Sequence, residues 1–252
     1  MRYQFQSLCD QGAVRPNNED AIQYGTADDA NLAWIVIADG MGGHLAGEVA
    51  SKLLTDEIEF AINQIERFDD IDWLCWIEIA LNRANNKIFI ESKNDPEKKG
   101  MGTTAVVAII IKNRCYIGWV GDSRCYIYSN SESSLPKLAQ LSVDHTMVQV
   151  LLDKGAITEK EAAEANNKNM LSKAIGIKKG IDVDTKQVTV QEGDILLLST
   201  DGLHDSLSPE SLADSVKKIA LGKNIENELL EKAIQGGSKD NITFASLFIK
   251  KS

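Results

Sequence analysis

The chain of 252 residues predicts an α+β protein with segregated layers, on three observations. Apolar runs of strand length occur in groups, a pair of helical patterns separates the first group from the next, and a second helical pair precedes one final strand. Regular βαβ alternation would interleave single helices with single strands, so the clustering favours sheets and helices in separate layers.

The elements justify this in order. AIQY at 21–24 is strand-like, and LAWIVIA at 32–38 is a continuous apolar run suited to a strand buried on its faces. Val49, Ala50, Leu53, Leu54, Ile58, Ala61, Ile62 and Ile65 then recur at three- and four-residue intervals, the stripe of an amphipathic helix. Leu74, Ile77, Leu81, Ala84 and Ile88 make a second. Strands follow at 105–111 (AVVAIII), 116–120 (YIGWV) and 126–128 (YIY), then one at 195–198 (ILLL). Helical patterns at 211–220 and 225–234 lead to the last strand, NITFASLFI at 241–249. Between these groups, the piece at 145–180 is polar, contains EKEAAEANNKN and carries only weak helical signals, which predicts an inserted surface subdomain placed to gate a site.

Hydrophobic residues at 43% and charged residues at 25% are the proportions of a folded domain and exclude a disordered chain. The 27 Lys and Arg against 37 Asp and Glu leave a net charge of −10, which repels a nucleic-acid backbone and an anionic leaflet alike. Only short basic pairs such as Lys98-Lys99 and Lys217-Lys218 oppose it, so neither nucleic acid nor membrane is an expected partner. The uncharged run at 101–111 is too short to cross a bilayer and the start lacks a leader's apolar core, which predicts a soluble cytoplasmic protein. Cys9, Cys75, Cys115 and Cys125 form no CxxC pair and no zinc spacing with His44, His145 and His204, so reduced thiols are expected.

The chemistry is carried by aspartates. Apolar strands run into Asp39-Gly40, Gly121-Asp122 and Asp201-Gly202, and Asp240 precedes the final strand. Any one Asp-Gly pair is by itself a turn signal. Four aspartates at strand rims, three of them beside a glycine, would converge, and such carboxylates tolerate one another only beside a cation. Short all-oxygen ligands without clustered His or Cys point to Mg²⁺ or Mn²⁺. RPNNED at 15–20 adds Arg15, which can grip phosphate oxygens in bidentate fashion, with Glu19 and Asp20 able to anchor it or to hold metal-bound water. Taken alone, that segment is equally a surface turn with a local salt bridge. His44 follows a Gly-rich turn and could donate a proton to a leaving group, or simply cap the helix after it. CDQGAVR at 9–15 matches the C-x5-R loop of thiol-dependent phosphatases, but no helix pattern follows to lower the pKa of Cys9.

In combination, RPNNED, VIADGMGGHLAGEVAS, MGTTAVV, VGDSRCYIY, DHT, EGDILLLSTDGLHD and GSKDNIT, spread over 10–248, resemble the metal-dependent serine/threonine protein phosphatases of type 2C in their compact bacterial form. The resemblance implies a four-layer αββα sandwich, two antiparallel sheets flanked by pairs of antiparallel helices, with 1–252 as one catalytic domain and 145–180 as a flap inserted in it. It implies two Mg²⁺ or Mn²⁺ ions: Asp39 bridging them, the Gly40 carbonyl, Asp201 and Asp240 completing the first, and Glu19 acting on the second through water. Asp122, Asp201 and Asp205 match a third, weaker ion. Phosphoserine and phosphothreonine would then be hydrolysed by a metal-bridging hydroxide without a phosphoenzyme, with Arg15 on the phosphate and Asp39 and His44 as the catalytic residues. Implied partners are phosphoproteins and a bacterial Ser/Thr kinase that the enzyme opposes, and the chain is expected to be a monomer. The departure is in the flap, where relatives carry a His-Pro pair and a stretch like RNxLTRALG and this chain has NNKNMLSKAIG, losing the bidentate fork of Arg. Two alternatives remain open on the sequence: a non-catalytic phosphoprotein-binding regulator on the same fold, and a Cys9-dependent phosphatase.

Overall fold

The computed structural model describes residues 2–27, 31–42, 46–129, 138–163, 165 and 168–250, without the side chain of residue 163. Its strands are β1 (Arg2–Asp10), β2 (Asp20–Ala27), β3 (Leu32–Met41), β4 (Gly102–Thr103), β5 (Ala105–Ile111), β6 (Arg114–Val120), β7 (Arg124–Tyr128), β8 (Leu138–Gln140), β9 (Asp184–Thr189), β10 (Ile195–Ser199) and β11 (Ile242–Lys250). Its helices are α1 (Ala46–Asn63), α2 (Trp73–Asn94), α3 (Met147–Asp153), α4 (Glu159–Ala163), α5 (Asp201–His204), α6 (Pro209–Ala220) and α7 (Glu226–Gln235). One sheet runs β1-β11-β10-β7-β8 and the other β2-β3-β5-β6-β9, with β4 on the end of β3. Every pairing is antiparallel.

The continuous apolar runs are explained by burial on both faces. Along β3, Trp34, Val36 and Ala38 pack under α1 and α2, whereas Ala33, Ile35 and Ile37 face the second sheet. In β10, Leu196 and Leu198 enter the core between the sheets, while Ile195 and Leu197 pack beneath α6 and α7. Three stacked cores therefore separate four layers, the αββα sandwich that the resemblance implies. Helix α1 buries Ala50, Leu54, Ile58 and Ile62 as expected. In α2 the register begins with Trp73, buried beside Ile77 and Leu81, while Leu74 is only half-buried.

Capping sets several boundaries. Asp72 opens α2 by accepting a hydrogen bond from the Cys75 N–H at 3.2 Å. Ser208 does the same for the Ser211 N–H at 3.2 Å, with Pro209 as the first helical residue, so α6 starts two residues earlier than its apolar pattern suggests. Between β8 and β9, the segment carrying α3 and α4 is tied down by isolated bridges Thr146↔Leu171 and Thr103↔Ile175.

Candidate active site

The aspartates gather at one end of the sandwich from both sheets. Asp39 lies within β3, which continues through Gly40 to Met41 and pairs with β4 rather than ending in a turn. Its backbone is fixed on both sides: the Asp39 N–H donates to Thr104 Oγ1 at 2.9 Å, and its carbonyl accepts from the Thr103 hydroxyl at 2.9 Å. A Cβ on Gly40 would stand 2.2 Å from the Gly47 carbonyl oxygen and 2.4 Å from that of Glu19, so no other residue fits there. Asp122 follows the Gly121 turn between β6 and β7, where the chain passes from one sheet to the other. Asp201 is the first residue of α5 rather than part of a turn, and Asp240 lies just ahead of β11.

Glu19, Asp39, Asp122, Asp201 and Asp240 line one cavity of about 530 Å³, together with Arg15 and Gly40. Asp205 lies in the adjoining cavities, which share Asp201 with this one. Burial and then the neighbouring carboxylates Asp20, Asp201, Asp122 and Asp240 hold the Asp39 carboxyl well above the usual range. Burial, then Asp201 and Asp144, push Asp122 to about 7; burial, then Asp240 and Asp205, push Asp201 to about 6. Burial also raises Glu19, against the lowering effect of Arg15.

Side chains of the protein itself supply part of the compensation. Arg15 Nη2 stands 2.5 Å from Asp240 Oδ2, so the guanidinium is anchored by Asp240 and not by its sequence neighbours Glu19 and Asp20. Lys168 Nζ lies 2.9 Å from Asp205 Oδ2, and Asn169 Nδ2 donates to Asp201 Oδ2 at 3.2 Å. Among the described residues, no three His, Cys, Asp or Glu side chains converge closely enough to hold an ion as they stand. Asp201 Oδ1 is nevertheless buried with no hydrogen-bond partner. A buried carboxylate oxygen without a donor is costly, and a crowd of hard oxygen donors with such an orphan fits hard divalent cations.

His44 lies outside the described residues. The sequence reads Asp20, with Glu19, as an anchor for Arg15 or a holder of metal-bound water. It is instead buried directly across the ladder from Asp39, pushed up to about 7 by burial, and accepts the Thr200 hydroxyl at 2.9 Å. The hydroxyl pair Thr104 and Ser123, 2.7 Å apart, was missed, although MGTT and GDSR contain both. Cys9 sits in β1 facing Thr243, its thiol raised mainly by burial, and no helix follows it to favour a thiolate.

Residues 13–234 match the sequence pattern of the family described as protein phosphatase 2C. The chain is 33% identical over 237 residues to the serine/threonine phosphatase stp of Listeria welshimeri, covering 93% of this chain and 91% of that protein. The crystal structure of the Mycobacterium tuberculosis serine/threonine phosphatase PstP/Ppp superposes with a TM-score of 0.86 at 30% identity, covering 99% of each chain. A structure of the PstP catalytic domain in complex with two manganese ions gives a TM-score of 0.81 at 30% identity, again covering 99% of each chain. With its motifs, layers and acidic cleft all in place, the chain belongs to the protein phosphatase 2C family.

Proposed function

We propose that this protein removes phosphate from phosphoserine and phosphothreonine in proteins, using two Mg²⁺ or Mn²⁺ ions held at the acidic cleft. The observation that carries the reading is the convergence of carboxylates whose protonation is favoured by burial and then by one another's charge, with the orphan oxygen of Asp201 among them. Asp39, the Gly40 carbonyl, Asp201 and Asp240 would hold the first ion, and Asp39 and Glu19 would serve the second. Asp122, Asp201 and Asp205 would hold a third, weaker one. When bound, such ions neutralise the carboxylates and bring the pKa of an attacking water towards neutrality.

The chain's own residues supply the rest. Arg15, half-exposed at the mouth of the cleft and anchored on Asp240, would orient the phosphoryl oxygens. His44 would give the leaving seryl or threonyl oxygen its proton. Residues 1–252 would act as one catalytic domain, with 145–180 as a flap whose Lys168 and Asn169 reach the cleft carboxylates. Among the described residues no helix is long and apolar enough to cross a membrane. In this reading the enzyme works as a cytoplasmic monomer and opposes a Ser/Thr kinase.

Turnover of a phosphothreonine peptide tests this directly. Activity is expected to vanish in chelator, return with Mn²⁺, and survive Cys9→Ser almost unchanged. Activity that persists in chelator and dies in Cys9→Ser would replace the metal reading by the thiol one. A metal-loaded protein that binds the peptide without releasing phosphate would identify a non-catalytic regulator.

A further inference from the structure

A buried histidine that the chemistry above does not use lies behind the Gly121 turn. His145, in the DHT motif, is buried, and its Nδ1 accepts a hydrogen bond from the Gly121 N–H at 3.1 Å. The backbone closes the same link, the His145 N–H donating to the Gly121 carbonyl at 2.9 Å. On its other side, the His145 carbonyl accepts from the Ser172 N–H at 2.8 Å, one residue from Leu171, which lines the acidic cleft. The ring packs along Trp119, with centroids 6.3 Å apart and planes 19° apart.

An Nδ1 that accepts carries no proton, so the neutral ring carries it on Nε2. That nitrogen faces Asp184 Oδ2 at 3.3 Å, without the alignment of a full hydrogen bond. Asp184 is in turn gripped by Lys173 Nζ at 2.8 Å. Lys173 belongs to the same stretch, NMLSKAIG, that departs from the type 2C pattern. Gly121 itself has φ +104° and no room for a side chain, since a Cβ would fall 2.6 Å from Thr104 Cγ2. The turn that presents Asp122 therefore depends on outside groups to hold it.

We infer that His145 is a positioning residue, clamping the Gly121–Asp122 turn to the Leu171–Ser172 segment so that both walls of the cleft keep a fixed separation, with Asp184 and Lys173 setting the tautomer. The inference rests on the metal-dependent reading of the cleft. It predicts that losing the acceptor at Nδ1 strands a buried N–H and releases Asp122 from its place, whereas losing the ring's bulk alone does not.

The test compares His145→Phe, which keeps the ring and its packing on Trp119, with His145→Asn, which keeps an acceptor for the Gly121 N–H. Mn²⁺ is titrated calorimetrically into each metal-free protein, and kcat, KM and Tm are measured with a phosphothreonine peptide. His145→Phe is expected to bind its weakest Mn²⁺ about 10-fold less tightly and to lose about 10-fold in kcat at constant KM, with His145→Asn recovering most of both. Asp184→Asn, at a half-exposed site where folding is not at risk, should weaken Mn²⁺ binding in the same direction by a smaller factor. Wild-type Mn²⁺ affinity in both His145→Phe and Asp184→Asn overturns the inference, as does an equal loss in the Phe and Asn variants. Failure of the unmutated protein to bind Mn²⁺ at all would instead sink the metal reading beneath it.

Discussion

Asp201 has one oxygen held by Asn169 and the other buried without a donor, and that asymmetry is the sharpest sign of what the cleft needs. Asp39→Asn and Asp240→Asn each remove a charge proposed to hold the first ion. Either should lower kcat by about 10²-fold or more in a steady-state assay at saturating Mn²⁺. Arg15→Ala should chiefly raise KM, because its guanidinium is placed to bind phosphate at the rim; an unchanged KM would remove it from substrate binding. The aspartates are legible in the sequence because each sits beside a glycine or at one end of an apolar strand, and Arg15 because it opens the RPNNED motif. Lys168, Asn169 and His145 are not legible in that way. Their partners Asp205, Asp201 and Gly121 are remote in the chain, and no local spacing announces contacts made only after the flap segment has folded back.

At the level of elements, the central strands were readable because burial on both faces leaves an unbroken apolar run, as in AVVAIII. Of the edge strands, β2 was announced by AIQY, but β1 and β9 were not. RYQFQSLCD in β1 and DTKQVT in β9 each pair on one side only, keep many polar residues, and so lack a strand signature. Beside the apolar core that α6 and α7 share, a local charge cluster links them: Glu228 lies 2.7 Å from Lys218 and 2.8 Å from Lys232, and accepts the Ser215 hydroxyl at 2.9 Å. Lys218 and then Lys232 pull the Glu228 carboxyl down to about 2. A carboxyl lowered in the folded state stabilises above its unfolded pKa, near 4.5, and that contribution fades as pH falls from there towards 2. Glu228→Gln should therefore cost about 1 kcal/mol at neutral pH, since solvent screens this surface cluster, and only a small part of that at pH 2. Denaturant melts of both proteins across that range check it, and a cost that persists in full at pH 2 would assign the effect to packing.

For the molecule as a whole, the layered α+β arrangement followed from the grouping of strands and helices and the pair of sheets from the resemblance to type 2C phosphatases, while the three cores are seen in the structure alone. The jaws of the cleft are fastened to different sheets: Asp39 to the one built on β3, Asp201 and Asp240 to the one built on β10 and β11. The apolar filling between them, Leu196, Leu198, Ile35 and Ile37 included, keeps the jaws at their gauge together with polar ties such as the Thr200 hydroxyl on Asp20. Catalysis should thus report on a seam far from any reacting atom. Leu196→Ala should cost about 2–5 kcal/mol of stability. At temperatures well below its melting point it should also weaken Mn²⁺ binding, as a calliper loses its reading when the hinge is worn, although every tip remains intact.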